Sequence, residues 1–328
     1  MAGCKIGIDL GGTNFRVAVV GDEHEIITHE KQAVGEPRDP ETIVERCAST
    51  VEKLAAGRGG SVGVGIAAML RGRQGDISVS PHLRWRDVPF GSMLAKRLGA
   101  AFKVGIYNDV NAIVYGEGMA GAARGSRDVL GVFVGTGVGG GLIVNGQLVE
   151  GASNTAGEIG HAKVRWDDAA EPCACGNRGC VEAYIGGSYV QRRARAEIRA
   201  GAKTKALELA GGNVDTLHPG HIDQAAGEGD EWALGLWTEL APLLAVTLGN
   251  AIAVLNPSRL VLGGGFLGRA PTLFELVATT LEIVGNRPSQ DAVTVVSAML
   301  GDDAGLVGSA ALAAGGVSIV GQSSLAPM

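Results

Sequence analysis

His161, Cys173, Cys175 and Cys180 follow one another as H-x11-C-x-C-x4-C. Three thiolates and one imidazole are a standard donor set for tetrahedral zinc. Gly176 and Gly179 let the chain turn tightly enough to aim several sulfurs at one ion. Incidental free cysteines and an iron–sulfur cluster are the other readings of these residues. Four protein ligands leave no open coordination position, so the expected ion is structural rather than catalytic. The C-x-C pair is tighter than C-x2-C and no second pair stands at finger spacing, which disfavours a DNA-reading zinc finger. Cys4 and Cys47 stand apart, and Cys47 reads as a core residue on an apolar helix face.

Three glycine-rich turns carry a second kind of chemistry. Gly11, Gly12 and Thr13 follow an apolar run ending in Asp9-Leu10, and can present backbone N–H groups to an anion. Asp9 could orient a hydrated Mg²⁺ near phosphates. Gly135-Thr136-Gly137 offers a second backbone cradle, and Gly263-Gly264-Gly265 close contact for a nucleoside. None is a P-loop or a Rossmann fingerprint: G-x4-G-K-[ST] is absent, and the first glycines follow a strand-end Asp instead of opening a helix. Any one of them reads equally as a structural turn; three in one chain favour a nucleotide. Asn108-Asp109 closes another apolar run, where a carboxylate can accept a proton from an alcohol. Glu158, His161 and Glu182 suit a polyhydroxylated ligand, since each can bond a hydroxyl. If one nitrogen of His161 ligates zinc, the other can orient a neighbour.

The elements that must position these groups alternate between strand and helix. Lys5–Leu10, Phe15–Val20 and Glu25–Ala33 read as a meander with tight glycine turns. Asp39-Pro40 opens a helix on which Ile43, Cys47, Val51 and Leu54 share a face. Val62–Ala67 and Phe102–Tyr107 are buried strands, Phe90–Leu98 is a helix, and a helix follows Asp109 to about Gly118. Composition turns to Gly, Ala and Ser at Gly121–Arg127, a domain boundary. Val129–Val134 then repeats the opening layout: KIGIDLGGTN and VLGVFVGTGVGG both set a strand before Thr-containing glycine backbone. The echo suggests two halves of related design, or two ordinary hairpins. Trp232–Leu255, interrupted by Pro242, is one long buried helix or two in series. Leu260–Leu262, Pro271–Val284, Val293–Ser297 and Ala304–Ala314 read as strand, helix, strand and terminal helix, and the last residues are expected to fray.

Composition excludes several classes. At 328 residues the chain has room for two domains at roughly 100–200 residues each. It holds 53 glycines without a Gly-X-Y period, so it is not collagen. The net charge of −6 and the absence of a basic tract argue against general nucleic-acid or anionic-membrane binding. Aromatics at 4% are too few for a base-stacking wall along single-stranded nucleic acid. No apolar stretch reaches 18 residues unbroken by Gly, Glu, Asn or Pro, so no membrane span is expected. The start MAGCKIGIDL has no secretory pattern, and the crowded cysteines fit a reducing compartment, so the expected location is cytoplasmic.

The chain resembles the ROK family (repressor, open reading frame, kinase), and most closely its bacterial glucokinase-type sugar kinases. GIDLGGTNFRVAVV resembles the first phosphate motif, including Asn14. Asn108-Asp109-Val110-Asn111-Ala112 resembles the catalytic strand end, and FVGTGVGGG at 133–141 the second phosphate motif. GEIGH at 157–161 and CACGNRGCVE at 173–182 resemble the signature and zinc loop, and LGGG at 262–265 the adenosine-side motif. The matches run in order along nearly the whole chain.

The resemblance implies an actin-like ATPase (ribonuclease H-like) α/β fold, two domains around a nucleotide/sugar cleft. Residues 1–120, rejoined by the C-terminal helix at about 303–328, form the first domain, and residues 121–302, with the zinc loop, the second. It implies ATP and Mg²⁺ as cosubstrates, structural Zn²⁺ and a homodimer or larger oligomer. Asp109 would be the catalytic base. Asn108, Glu158, His161 and Glu182 would bind the sugar, and Asp9, Gly11, Gly12, Thr13, Asn14, Gly135, Thr136, Gly137 and Gly263–Gly265 the nucleotide. The expected reaction is transfer of the ATP γ-phosphoryl group to the 6-hydroxyl of glucose. The alternatives are another hexose or N-acetylhexosamine acceptor (N-acetylmannosamine, N-acetylglucosamine, fructose, mannose) and, more distantly, a non-catalytic sugar-binding regulator. Family repressors carry a helix-turn-helix before the first phosphate motif, which here begins at residue 6, so no nucleic-acid partner is expected. One departure stands out: His82-Leu83-Arg84-Trp85 occupies a stretch near the sugar pocket that usually begins with Asn, so either His82 binds the sugar and alters the hydroxyl or C2-substituent preference, or it packs beside the pocket.

Overall fold

A computed structural model describes residues 3–322. The chain forms two compact units. One holds the chain to Arg127, Gly141–Gly157 and the chain from Met299; the other holds Asp128–Gly140 and Glu158–Ala298. The final residues of the sequence, where fraying is expected, lie outside the described ones.

The first unit is built on a five-stranded sheet, ordered Ile26–Ala33, Asn14–Val20, Cys4–Leu10, Gly60–Ile66 and Phe102–Asn108. The first three strands are the antiparallel meander of the sequence reading; the last three run parallel. Ile6, Ile8, Val62 and Val64 point to one side of this sheet. The helix Pro40–Ala55 brings Ile43, Cys47 and Val51 to that same core, and Cys47 is fully buried. Its start is set by Asp39, whose carboxylate accepts a hydrogen bond from Thr42 N at 2.8 Å.

The centre of the opposite face is bare. Gly7, Gly63 and Gly105 lie side by side across three strands. The helix Ala304–Ala314 lies on this glycine row, backbone against backbone. A Cβ on Gly7 would stand 2.0 Å from Leu306 O, and one on Gly63 1.8 Å from Ser309 O. The helix is itself small-sided, and one on Gly308 would stand 1.7 Å from Ala112 O in the helix Asp109–Ala120. Gly63→Val is a direct test. Valine favours strands by up to about 1 kcal/mol, but the collision is with backbone and cannot be relieved by a rotamer. A net loss of about 3 kcal/mol is expected, at the upper end for overpacking, read as a lowered urea midpoint. Gly235→Ala, where no heavy atom stands within 4 Å of the new methyl, should leave it unchanged or raise it. Equal midpoints for the two variants would refute the close-packing account.

A three-stranded antiparallel sheet, Met69–Arg71, Asp76–Ser80 and Trp85–Val88, accompanies this unit and was not expected from the sequence. The buried Glu117 of Asp109–Ala120 accepts from Met299 N at 2.9 Å, Leu300 N at 2.8 Å and Ala122 N at 2.8 Å. It thereby pairs its own buried carboxylate with three backbone donors.

In the second unit Val129–Val134, Arg259–Gly263 and Thr294–Ser297 are parallel neighbours, with Val138–Val144 beyond Val129–Val134. Glu231–Leu255 is one continuous helix. Pro242 does not divide it, because Leu240, Leu244, Leu248 and Ile252 on both sides bury a shared face. Asp230 caps its start through Ala233 N, and Asn256 ends it with φ of 46°. Among the described residues it is the one helix long and apolar enough to cross a membrane, and it packs along the helix Pro271–Val284. It is not buried throughout, since Val246 and Val254 are exposed.

Candidate active site

The first unit brings together Asp9, the first glycine turn, His82, Asn108 and Asp109. The turn between Cys4–Leu10 and Asn14–Val20 closes with Gly11 N donating to Asn14 O at 3.1 Å. Across that hairpin Asp9 stands opposite Arg16, and Arg16 Nη2 donates to Asp9 Oδ2 at 2.8 Å. Arg16 also donates to Asp302 O and lies 3.4 Å from Asp303 Oδ1, which pins this carboxylate to the chain before the last helix. Asn108 ends the strand Phe102–Asn108 and caps the next helix: its Oδ1 accepts from Val110 N at 2.9 Å and Asn111 N at 3.2 Å. Asp109 therefore begins the helix as its first residue, with the cap position already filled by Asn108. Burial pushes its carboxyl above the usual range and outweighs a hydrogen bond from Val110 N; the negative charge of Asp9 adds to the rise, and the Asp109 N–H and His82 oppose it more weakly. His82 is exposed and lies over the first glycine turn, where a methyl on Gly12 would stand 2.6 Å from its Cβ. Its carbonyl accepts from Arg38 Nη1 at 2.8 Å, and Trp85 Nε1 donates to Arg38 O at 2.6 Å, so the segment is tied from both ends.

The second unit brings together the second glycine turn, Glu158, His161, Glu182 and the cysteines. Glu182 opens the short helix Glu182–Ile185 and accepts from Val138 N at 2.9 Å. A Cβ on Gly137 would stand 2.4 Å from Glu182 Oε2, so only glycine lets this carboxylate close over the turn. Glu158 and His161 flank a single 3-10 turn, with His161 Nε2 3.8 Å from Glu158 Oε2. That is too long for a hydrogen bond and leaves both atoms for another group. Burial raises the carboxyl of Glu158, opposed by His161 and reinforced by Glu182.

The other nitrogen of His161 faces the thiols. Its Nδ1 is 3.8 Å from Cys173 Sγ, and Cys175 Sγ is 3.7 Å from Cys180 Sγ. All four ligand atoms lie within 4.8 Å of one another. Around zinc with bonds of about 2.0–2.3 Å, tetrahedral ligand atoms stand roughly 3.3–3.8 Å apart, so the cluster fits such an ion with little movement. Tyr184 and Tyr189 fasten the loop from outside, their hydroxyls accepting from Glu171 N and Ala174 N at 2.8 Å.

Beside the second glycine turn a cavity of about 490 Å³ opens, bordered by Thr136, Ser188, His218, Gly265, Phe266 and Arg269 among others. Of the third glycine cluster, Gly264 has φ of 97° and a Cβ there would stand 2.4 Å from Val134 O, while Gly265 borders the cavity. The sequence reading missed Arg16, His218, Phe266, Arg269 and the buried Asn111, whose Oδ1 has no hydrogen-bond partner. Only Arg16 had a usable signal, since the hairpin register sets it opposite Asp9.

A carboxylate at a strand-to-helix junction in the first unit, and a glycine turn beside a cavity in the second, are groups that phosphoryl transfer can use. Comparison with known proteins specifies the class. Residues 5–315 match the model of the ROK family. The chain is 33% identical over 318 residues to a glucokinase of Streptomyces coelicolor, covering 95% of this chain and 98% of that one. It is 30% identical over 322 residues to an N-acetyl-D-glucosamine kinase of Haemophilus influenzae, covering 93% and 98%. The solved ROK family glucokinase of Streptomyces griseus, in complex with glucose and AMPPNP, superposes with a TM-score of 0.77 at 31% identity, covering 95% and 99%. The chain belongs to the ROK family, with the family's α/β ATPase fold, and is an ATP-dependent sugar kinase.

Proposed function

We propose that this enzyme transfers the γ-phosphoryl group of ATP to the 6-hydroxyl of glucose. The observation that carries the reading is Asp109, a carboxylate raised by burial at a helix start whose cap is already supplied by Asn108. Glucose is supported by the likeness to two Streptomyces glucokinases, one of them holding glucose. In the proposed step the sugar oxygen attacks the γ-phosphorus, the bond to the β–γ bridging oxygen breaks, and the hydroxyl proton passes to Asp109 while ADP leaves. A loose transition state asks little deprotonation early on, so Asp109 chiefly aligns the hydroxyl and then takes its proton. Asn108, Glu158, His161 and Glu182 grip the sugar hydroxyls. Gly11, Gly12, Thr13, Asn14, Gly135, Thr136 and Gly137 hold phosphate oxygens, and Gly263–Gly265 the nucleoside side. Asp9, which accepts from Arg16, would hold hydrated Mg²⁺, which would supply neutralisation of phosphate charge. His161, Cys173, Cys175 and Cys180 would hold zinc, which would fix the loop between His161 and Glu182. That role is support of the site, with no part in bond making.

An N-acetylhexosamine is the second reading, favoured by the Haemophilus influenzae relative. A panel of glucose, mannose, fructose, N-acetylglucosamine and N-acetylmannosamine at saturating ATP separates the two. Glucose should show the highest kcat/KM; a higher value for either N-acetylated sugar replaces the proposal. The same panel, with glucosamine added, tests His82. Imidazole is bulkier than an Asn side chain and places its donor and acceptor differently. His82→Asn should shift the ratios of kcat/KM among glucose, mannose and glucosamine by at least about 3-fold, roughly 0.7 kcal/mol of differential transition-state binding. Uniform scaling across all sugars removes His82 from acceptor choice.

A further inference from the structure

The cavity beside the second glycine turn has an unusual wall. Two of its bordering side chains are flat rings, and each is backed by a second ring. His218 stacks on His221 with centroids 3.6 Å apart and planes at 30°. Phe266 lies against the buried Trp237 with centroids 5.8 Å apart. His221 and Trp237 do not border the cavity, so both plates are held from behind. His218 sits at the start of the helix Pro219–Gly227 without spending its side chain on a cap. Two polar side chains of the same wall are committed elsewhere: Ser188 Oγ donates to Thr136 O at 2.8 Å, and Gln191 Nε2 donates to Leu217 O at 2.6 Å.

We propose that His218 and Phe266 hold the purine of the phosphoryl donor by ring stacking, and that the site reads the face of the base rather than its edge. The inference rests on placing the nucleotide in this cavity, with its phosphates at Gly135-Thr136. Every purine has the same kind of face, whereas adenine and guanine differ only along their edges. The enzyme therefore accepts GTP and ITP beside ATP.

Steady-state kinetics at saturating sugar provide the test. The kcat/KM for GTP and ITP should fall within about 5-fold of that for ATP. His218→Ala should raise the KM for all three by about 10-fold, the middle of the range for losing one base–aromatic stack, at unchanged kcat. His218→Phe, which keeps a flat ring, should restore KM. Inhibition by inorganic tripolyphosphate, which has no base, should be the same in all variants. A preference for ATP above 100-fold overturns face reading. A parallel change in tripolyphosphate inhibition, or failure of His218→Phe to restore KM, shows a merely structural residue and overturns the role of His218. If Phe266→Ala raises KM for ATP and His218→Ala does not, the stacking role of His218 fails while the nucleotide placement stands. If neither variant moves it, the placement itself fails.

Discussion

Asp109→Asn should lower kcat for sugar phosphorylation by about 10²–10⁴-fold, the usual scale for losing a general base. The substitution keeps size and shape and removes only the ability to take a proton. Sugar affinity should change much less. Stability should not suffer. The folded protein holds the Asp109 proton more tightly than the unfolded chain, since burial raises its pKa. Its contribution is therefore favourable at low pH and is lost as pH rises through the unfolded and then the folded value. At neutral pH the ionised group opposes folding, so the Asn variant should melt no lower than the parent. In the parent, kcat/KM for sugar should fall with acid along a limb lying above the ordinary Asp value of about 3.9, and the variant should lose that limb. A variant with near-parental turnover, or a parental acid limb at or below the ordinary value, would reject Asp109 as the base.

The second large effect is expected from the metal cluster. Protein purified without chelator should contain about one zinc per chain, as one tetrahedral site requires. From Ala162 to Val181 the loop has no helix or strand, only isolated bridges at Lys163–Cys180 and Pro172–Arg178. Its order depends on what ties its ends. Cys175 is exposed, so Cys175→Ser removes a ligand without opening a core. Zinc content should drop, and kcat/KM for sugar should fall by about 10–100-fold, the range for losing support around a site. Nucleotide affinity should be nearly preserved. Metal analysis finding no zinc, or full sugar activity after Cys175→Ser, would end the case for a zinc-ordered loop.

The parts of the fold that local chemistry dictates were legible in advance. Asp39-Pro40 begins a helix because a carboxylate caps and a proline fits the first turn. Phe90–Leu98, Pro271–Val284 and Ala304–Ala314 occupy the segments that periodicity marks. Glycine turns after apolar runs fall where the sequence places them. What periodicity cannot supply is pairing over distance. The strands Met69–Arg71, Asp76–Ser80 and Trp85–Val88 are three to five residues long and carry charges, so each alone reads as loop. Glu117 looks like an ordinary helix acid until Met299 and Leu300 arrive from far along the chain. The same limit applies to the site. Residue types suggested Asp9 and Glu182, but not that Arg16 holds one and Val138 N the other. His218 belongs to a segment without periodicity, and only its stack on His221 singles it out.

The glycine row under the last helix sets the order in which the protein can be finished during synthesis. Ser309 meets Ile8 across 301 positions of chain. At about 5–20 residues per second of translation, the strand Cys4–Leu10 waits on the order of 15–60 seconds for its cover. Throughout that interval Gly7 and Gly63 present bare backbone without the helix that packs on them in the finished fold. Glu158–Ala298 emerges as one stretch and can settle before Ala304–Ala314 leaves the ribosome. The first strands made are thus the last to be covered, and a chain halted before Ala304 would expose them to chaperones and proteases.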